Sequence, residues 1–263
     1  MRLCRQNRIN RMPQISVVII AFNEEKNIGR CIDSVLPVAD EVVVVDSYST
    51  DRTKEIVLEK GARFVQHNFD GHIEQKNWAI TQAKYPHILS LDADEALSKV
   101  LQQEILSVKR KWDFDAYYFN RLTNYCGKWI KHCGWYPDQK LRLWDSRKGH
   151  WGGTNPHDKF ELKLGASKKY LNGDLLHYSY YSISQHILQI EKFTSISAKE
   201  AVSNGKSMGI GGLIVKPIWK FIRDYFFRLG ILDGYYGFVI CRLSAFATFA
   251  KCLKMIELSK HKT

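Results

Sequence analysis

Apolar positions alternate between two periods along the first hundred residues. Ile15 to Ala21 (ISVVIIA) is an unbroken, mostly β-branched run, as expected of a strand buried on both faces of a parallel sheet. Ile28, Cys31, Ile32, Val35 and Leu36 then mark one helical face, with Asn23 expected as N-cap, Glu24 and Glu25 in the first turn, and Pro37 as the stop. Val42 to Val45 predicts a second buried strand, Thr50 a cap for the next helix, and Arg63 to Val65 a short third strand. A helix is expected over 72–83 and a strand over His87 to Leu91. Repeated βαβ units of this kind predict an α/β fold, a mostly parallel sheet with helices on both faces. Ligands of such sheets bind at the carboxyl ends of the strands. Two acidic segments fall there: Asp46 after VVVV, and Asp92-Ala93-Asp94-Glu95 after ILSL.

Beyond residue 112 the pattern changes. Ala116 to Phe119 and Gln139 to Trp144 read as strands, Leu141 and Leu143 alternating with Lys140 and Arg142. Between them TNYCGKWIKHCGWYPD is rich in aromatics and cations, and its length favours a binding loop. A helix is expected over 184–202. In the last fifty residues Ile218, Phe221, Ile222, Tyr225, Phe226 and Leu229 form an apolar stripe opposite Lys220, Arg223, Asp224 and Arg228, with Gly230 closing it. Phe238 to Ala250 is a second apolar stretch with Arg242 in its middle. Its apolar runs are short for a bilayer span, and a central arginine is costly there. Two readings stay open: a basic amphipathic pair lying on an anionic membrane surface, or helices packed on protein.

Charge adds a partner. Lys and Arg total 39 against 27 Asp and Glu, a net +12, which calls for an anionic ligand: nucleic acid, anionic lipid or a phosphorylated substrate. No helix-turn-helix, zinc-finger or RNP pattern accompanies the charge, so nucleic acid is not expected. Cys126 and Cys133 lie near His132 and His157, but without the CxxC pair typical of structural zinc, reduced thiols are expected. The N-terminal arginines are not followed by an apolar run, which makes the cytosol the expected compartment. Residues 1–12 (MRLCRQNRINRM), with Arg2, Arg5, Arg8 and Arg11, read as a basic arm or as a leader preceding Met12.

Asp92 and Asp94 at a buried strand end bring two carboxylates together, and a divalent cation would remove their mutual repulsion. Mg²⁺ or Mn²⁺ takes such oxygen ligands and completes its shell with substrate phosphates. In order and spacing, VVIIAFNEEKNI, VVVVDSYSTDRT and LSLDADE resemble glycosyltransferase family 2, whose members adopt the GT-A fold, a Rossmann-like α/β architecture. The resemblance covers most of residues 14–100. It implies inverting transfer from a nucleotide-sugar, with Asp46 hydrogen-bonded to the base, Asp94 on the metal, Asp92 near the ribose or metal, and Asn23 and Glu24 on the nucleotide-contacting loop.

Inverting transfer needs a base for the acceptor hydroxyl. The resemblance matches that role to Asp138 in GWYPDQKLRLW, with Asp145 and Asp158 as fallbacks and Asp115 too early. It also implies a later histidine in the metal shell, either His177 in LLHYSY or His157 in NPHDKF. WYPDQKLRLW, PHD, LLHYSY and LGILDGYYGF further resemble the bacterial lipopolysaccharide inner-core β-glucosyltransferases that act on heptose, except that Asp158 stands where Glu is usual. This implies UDP-glucose as donor, a lipopolysaccharide core acceptor, and a peripheral position on the inner face of the inner membrane. The expected layout is a GT-A domain over 13–205 and a basic amphipathic helical tail over 206–263. A nucleotidyltransferase is the enzymatic rival, but AFNEEKN has no Gly-rich phosphate loop.

Overall fold

In the computed structural model the described residues are 12–154 and 157–260, and the side chains of Thr154 and His157 are not among what is described. The basic stretch 1–11 lies outside them. The chain forms two compact units, Met1–Asn120 with Gln139–Leu176, and Arg121–Asp138 with His177–Thr263.

The first unit is built on a mixed sheet. Strands β1 (Ile15–Ala21), β2 (Glu41–Asp46), β3 (Arg63–Gln66) and β4 (His87–Asp92) pair in parallel in the order β3-β2-β1-β4. The register sets Ala21 opposite Asp46 and Ile20 opposite Asp92, so both acidic segments emerge at the same sheet edge. The sheet continues through β8 (Asp138–Asp145), antiparallel to β4, then β6 (Ala116–Tyr125), β11 (Lys168–Tyr180) and β5 (Glu95–Leu97). Side chains of β1 alternate between two cores. Ile15, Val17 and Ile19 pack with α1 (Ile28–Val35), α2 (Thr53–Glu59) and α4 (Lys99–Arg110). Val18 packs, with Val43, Val45 and Ile88, on Ala79 of α3 (His72–Thr81) and on the hairpin β9 (Gly149–Thr154)–β10 (His157–Leu162). Helices thus cover both faces, as the unbroken apolar strands predict.

Two predicted caps fall elsewhere. Helix α1 starts at Ile28, not beside Asn23, and α2 starts at Thr53, not after Thr50. Asn23 takes a positive φ of 54°, and its Oδ1 accepts from the Thr50 N–H at 2.8 Å. Both residues serve the loop instead of the helix ends, because bonding each other leaves neither free to cap. Helix α4, unanticipated, is capped by Ser98, whose side chain accepts from Leu101 N. Gly173 on β11 has φ +90°, and a Cβ there would lie 2.5 Å from Leu101 N, so the strand crosses the start of α4 at backbone contact.

The second unit contains most of the aromatic-rich loop and the C-terminal helices. Tyr125 and Lys128 close a two-residue hairpin between β6 and β7 (Lys128–Ile130). Its central residues Cys126 (φ 51°) and Gly127 (φ 91°) have the double positive φ of a type I′ turn. Helix α5 (Ile183–Ser203) opens on a Ser182–Gln185 capping box, and helices α6 (Ile210–Ile222) and α7 (Gly234–Lys260) follow. Between them lie a π turn over 223–227 and a 3₁₀ turn over 230–233. Gly230 was expected to close the stripe, but Leu229 takes the left-handed conformation and Gly230 is buried. The reason is space: a Cβ on Gly230 would lie 2.8 Å from both Asp224 O and Cys241 Sγ. Contacts also group α5 with the tail, since Lys254 of α7 bonds Thr194 and Ser195 of α5 at 2.9 and 2.8 Å. Among the described residues no helix is long and apolar enough to cross a membrane.

Candidate nucleotide-sugar site

At the carboxyl ends of β1 and β2 two loops are bonded to each other. Asn23 N–H donates to Ser49 Oγ at 2.7 Å, Glu24 N–H to Thr53 Oγ1 at 2.8 Å, and Glu25 N–H to Asp51 Oδ2 at 3.0 Å. Asp46, fully buried, accepts from the Ser49 N–H at 2.8 Å and from its hydroxyl. The loop that follows β1 is therefore fixed in shape by the one that follows β2.

At the end of β4, Asp92 is held between two cations. Its Oδ1 lies 3.0 Å from Lys76 Nζ of α3 and its Oδ2 2.9 Å from Arg142 Nη2 of β8. Burial would raise the Asp92 carboxyl, but the Lys76 and Arg142 charges hold it well below the usual carboxylate range. Arg142 also bonds the buried Glu95 at 2.7 Å, while Lys76 reaches Asp158 at 2.7 Å. Burial would lower the Arg142 guanidinium, but the charges of Glu95 and Asp92 outweigh it and raise it. Trp151 lies beneath both cations, its ring centroid 4.6 Å from Lys76 Nζ. The Asp92 charge is thus met by the two protein cations Lys76 and Arg142.

Lys76 escaped the sequence reading, and Glu95 and Arg142 entered it only as part of the acidic segment and as a polar position of the alternation. Arg142 sits where the β8 alternation marks a solvent-facing position, yet it is 3% exposed. Its burial depends on carboxylates delivered by β4 and β5, strands distant in sequence.

Asp94 is half-buried, and its charge reaches Glu24. The Glu24 carboxyl is pushed up to about 7, first by burial, against a hydrogen bond from Asn27, with Asp94, Asp51 and Asp92 adding to the rise. Among the described residues no three His, Cys, Asp or Glu side chains gather into a metal cage. The residues present nevertheless fit a divalent cation. The negative potential that Asp94, Asp51 and Asp92 place on Glu24 would be offset by one, and Mg²⁺ commonly takes one or two protein carboxylates plus substrate phosphates.

The remaining candidates are placed as follows. Asp138, in the second unit, receives Arg121 Nε at 3.0 Å and Nη2 at 2.8 Å. His177 Nδ1 lies 3.5 Å from Thr123 Oγ1, also in the second unit. The side chain of His157, the alternative metal ligand, is outside the described residues. Asp145 caps the turn at Ser146–Lys148, accepting from Arg147 N, Nε and Nη2 at 3.0, 2.8 and 2.6 Å, and Asp115 is tied to Ser167 and Lys148. His132 and Cys133 both turn to Asp233, the histidine through its N–H at 2.8 Å and Nδ1 at 3.1 Å.

Comparison with known proteins identifies the family, since the one described as Glycosyl transferase family 2 matches residues 16–171. The chain belongs to that family. Relatives extend the match across nearly all of this glycosyltransferase. An uncharacterized glycosyltransferase of Rickettsia typhi is 34% identical, over 94% of this chain and 88% of its own. The lipopolysaccharide core biosynthesis glycosyltransferase LpsC of Rhizobium meliloti is 30% identical, over 90% of this chain and 91% of its own. Among solved structures, S. aureus TarS 1-349 in complex with UDP is 17% identical, over 95% of this chain and 91% of that one, with a TM-score of 0.45.

Proposed function

We propose that this glycosyltransferase moves a hexose, glucose from UDP-glucose, with inversion onto a heptose of the lipopolysaccharide inner core, assisted by Mg²⁺ or Mn²⁺. The observation that carries the donor half is the convergence of three strand ends in one unit. The braced loop after β1, the buried Asp46 after β2 and the Asp92–Asp94 segment after β4 share one sheet edge. The likeness to LpsC over nine-tenths of the chain supports the acceptor half. A lipid-linked acceptor would place the enzyme at the inner face of the membrane, where its net +12 charge favours anionic lipid.

The chain's own residues divide the work. The loop of Asn23 and Glu24 positions the nucleotide, Asp46 accepts a hydrogen bond from the base, and Asp94 holds the metal. The metal, when bound, neutralises charge on the departing diphosphate. Asp92, locked between Lys76 and Arg142, fixes the end of β4 and sets the direction of Asp94. Asp138 takes the proton of the acceptor hydroxyl. A second reading gives that role to Asp158, which Lys76 joins to Asp92 within the first unit.

The test is hydrolysis and transfer from a panel of nucleotide-sugars, with and without divalent metal. UDP-glucose should be preferred, with activity lost in chelator, and Asp94→Asn should abolish transfer and metal-dependent UDP binding while the circular dichroism is unchanged. Full activity of that variant would overturn the metal role.

A further inference from the structure

Helices α5 and α7 of the second unit, with Lys220 of α6, line an open cavity of about 330 Å³, within the size range of small-molecule sites. The buried positions of α7 are apolar, but it lines this cavity with polar side chains. Phe238, Phe246, Phe249 and Leu253 are exposed, whereas Ser244, Thr248 and Lys251, at i, i+4 and i+7, are half-buried along the cavity wall. From α5, Gln189 and Ser197 face them, while Tyr180 and Phe193 add aromatic surface. Simple helix packing would place apolar side chains at such positions, because ordering a lysine and uncharged polar groups around a void gains nothing.

The wall is also one-signed. No carboxylate lines it, and two lysines do. Lys220 shares its charge with Asp224 at 2.7 Å, but Lys251 has no ion-pair partner among the described residues. His186 adds no charge: its Nδ1 lies 3.0 Å from Tyr125 Oη, and burial lowers it to about 4, so it is neutral at pH 7. Thr194 and Thr248 are engaged with their own helices or with Lys254. The groups left to a ligand are an ammonium, the Gln189 amide and the hydroxyls of Ser197 and Ser244, beside aromatic rings. An ammonium selects an anion, amide and hydroxyls match a polyol, and aromatic rings pack against the C–H face of a sugar.

We propose that this cavity binds a phosphorylated saccharide, its phosphate on Lys251 and its hydroxyls on Gln189, Ser197 and Ser244. The inference rests on the cavity alone and not on the donor reading above.

Calorimetric titration of the full chain, with saturating UDP and Mg²⁺ to fill the donor site, tests it. Glucose 6-phosphate should bind saturably, with glucose and inorganic phosphate each at least about tenfold weaker. Lys251→Gln should weaken that binding at least about tenfold, and Ser244→Leu, which fills the cavity, should abolish it. UDP affinity, measured on the same samples, should be unchanged in both variants. Absence of saturation by about 10 mM, equal affinity for inorganic phosphate, or indifference to Lys251→Gln would each overturn the proposal. Failure to bind UDP at all would count against the donor reading and leave this result intact, since the titration is repeated without UDP.

Discussion

Glu24 shows how one side chain reports on its surroundings. Its carboxyl stands at about 7 instead of 4.5, so between those values the folded chain keeps a proton that the unfolded chain releases. Stability from this group is therefore fully present below pH 4.5 and is lost as pH rises through 7. Glu24→Gln removes the titration and retains an oxygen for Asn27. The variant should match the parent at pH 4.5 and exceed it at pH 8 by on the order of 1–3 kcal/mol, the upper end discounted for partial solvent screening. Urea unfolding at the two pH values checks this, and equal differences at both would contradict it. Asp138 poses a different question, since its pairing with Arg121 orients it but does not assign it. Asp138→Asn should lower turnover at least about 10²-fold with donor affinity nearly unchanged. If donor binding collapses instead, or if only Asp158→Asn shows the turnover loss, the base is Asp158.

Among the elements, the tail differs most from its sequence pattern. Lys220, Arg223 and Arg228 look like the outer face of an amphipathic helix, yet all three approach the buried Asp224, at 2.7, 2.9 and 3.5 Å. The continuous helix implied by the stripe is instead broken by the π and 3₁₀ turns that bring Asp224 and Asp233 inward. Gly237 makes the return into α7 possible. A Cβ there would lie 1.9 Å from Gly230 O, closer than any side chain tolerates. Gly237→Ala should destabilise the protein by about 1–3 kcal/mol, the usual cost of overpacking, although alanine is the better helix former. Thermal unfolding checks this, and a stabilised variant would mean that the turn relaxes freely.

For the molecule as a whole, net charge and exposed apolar surface point to the same proposed partner. Trp219 and Phe227 are 53% and 70% exposed, their tilted rings 5.9 Å apart, and Ile214, Ile218 and Phe246 are exposed as well. Three cations are shared by Asp224, but Lys216 and Arg242 also lie on α6 and α7, each contributing about 1 kcal/mol near an anionic bilayer. The protein should sediment with anionic vesicles and not with neutral ones, less so at high salt. The double variant Trp219→Ser/Phe227→Ser should weaken that binding. Binding that is indifferent to both salt and the double variant would mean that this surface covers protein.

The parallel half of the sheet was legible because β1, β2 and β4 are apolar on both faces, a pattern that admits few alternatives to a covered parallel sheet. The same pattern placed Asp46 and Asp92 at strand ends, and the family resemblance made those positions the expected donor site. Strands β5 and β9 to β11 carry no such signal, being short, glycine-containing or polar, and they form because the rest of the sheet and the Trp144–Trp151–Phe160 core offer them partners. Charge compensation was likewise decided in three dimensions. Only Ala93 separates Asp92 from Asp94, but Lys76, Arg142 and Asp158 come from 16 to 66 residues away, and only folding makes an ion network of them. The sequence determined the strands and helices of the parallel half, since periodicity is a local property. Tertiary structure decided which charges face one another, since an ion pair depends on distance in space.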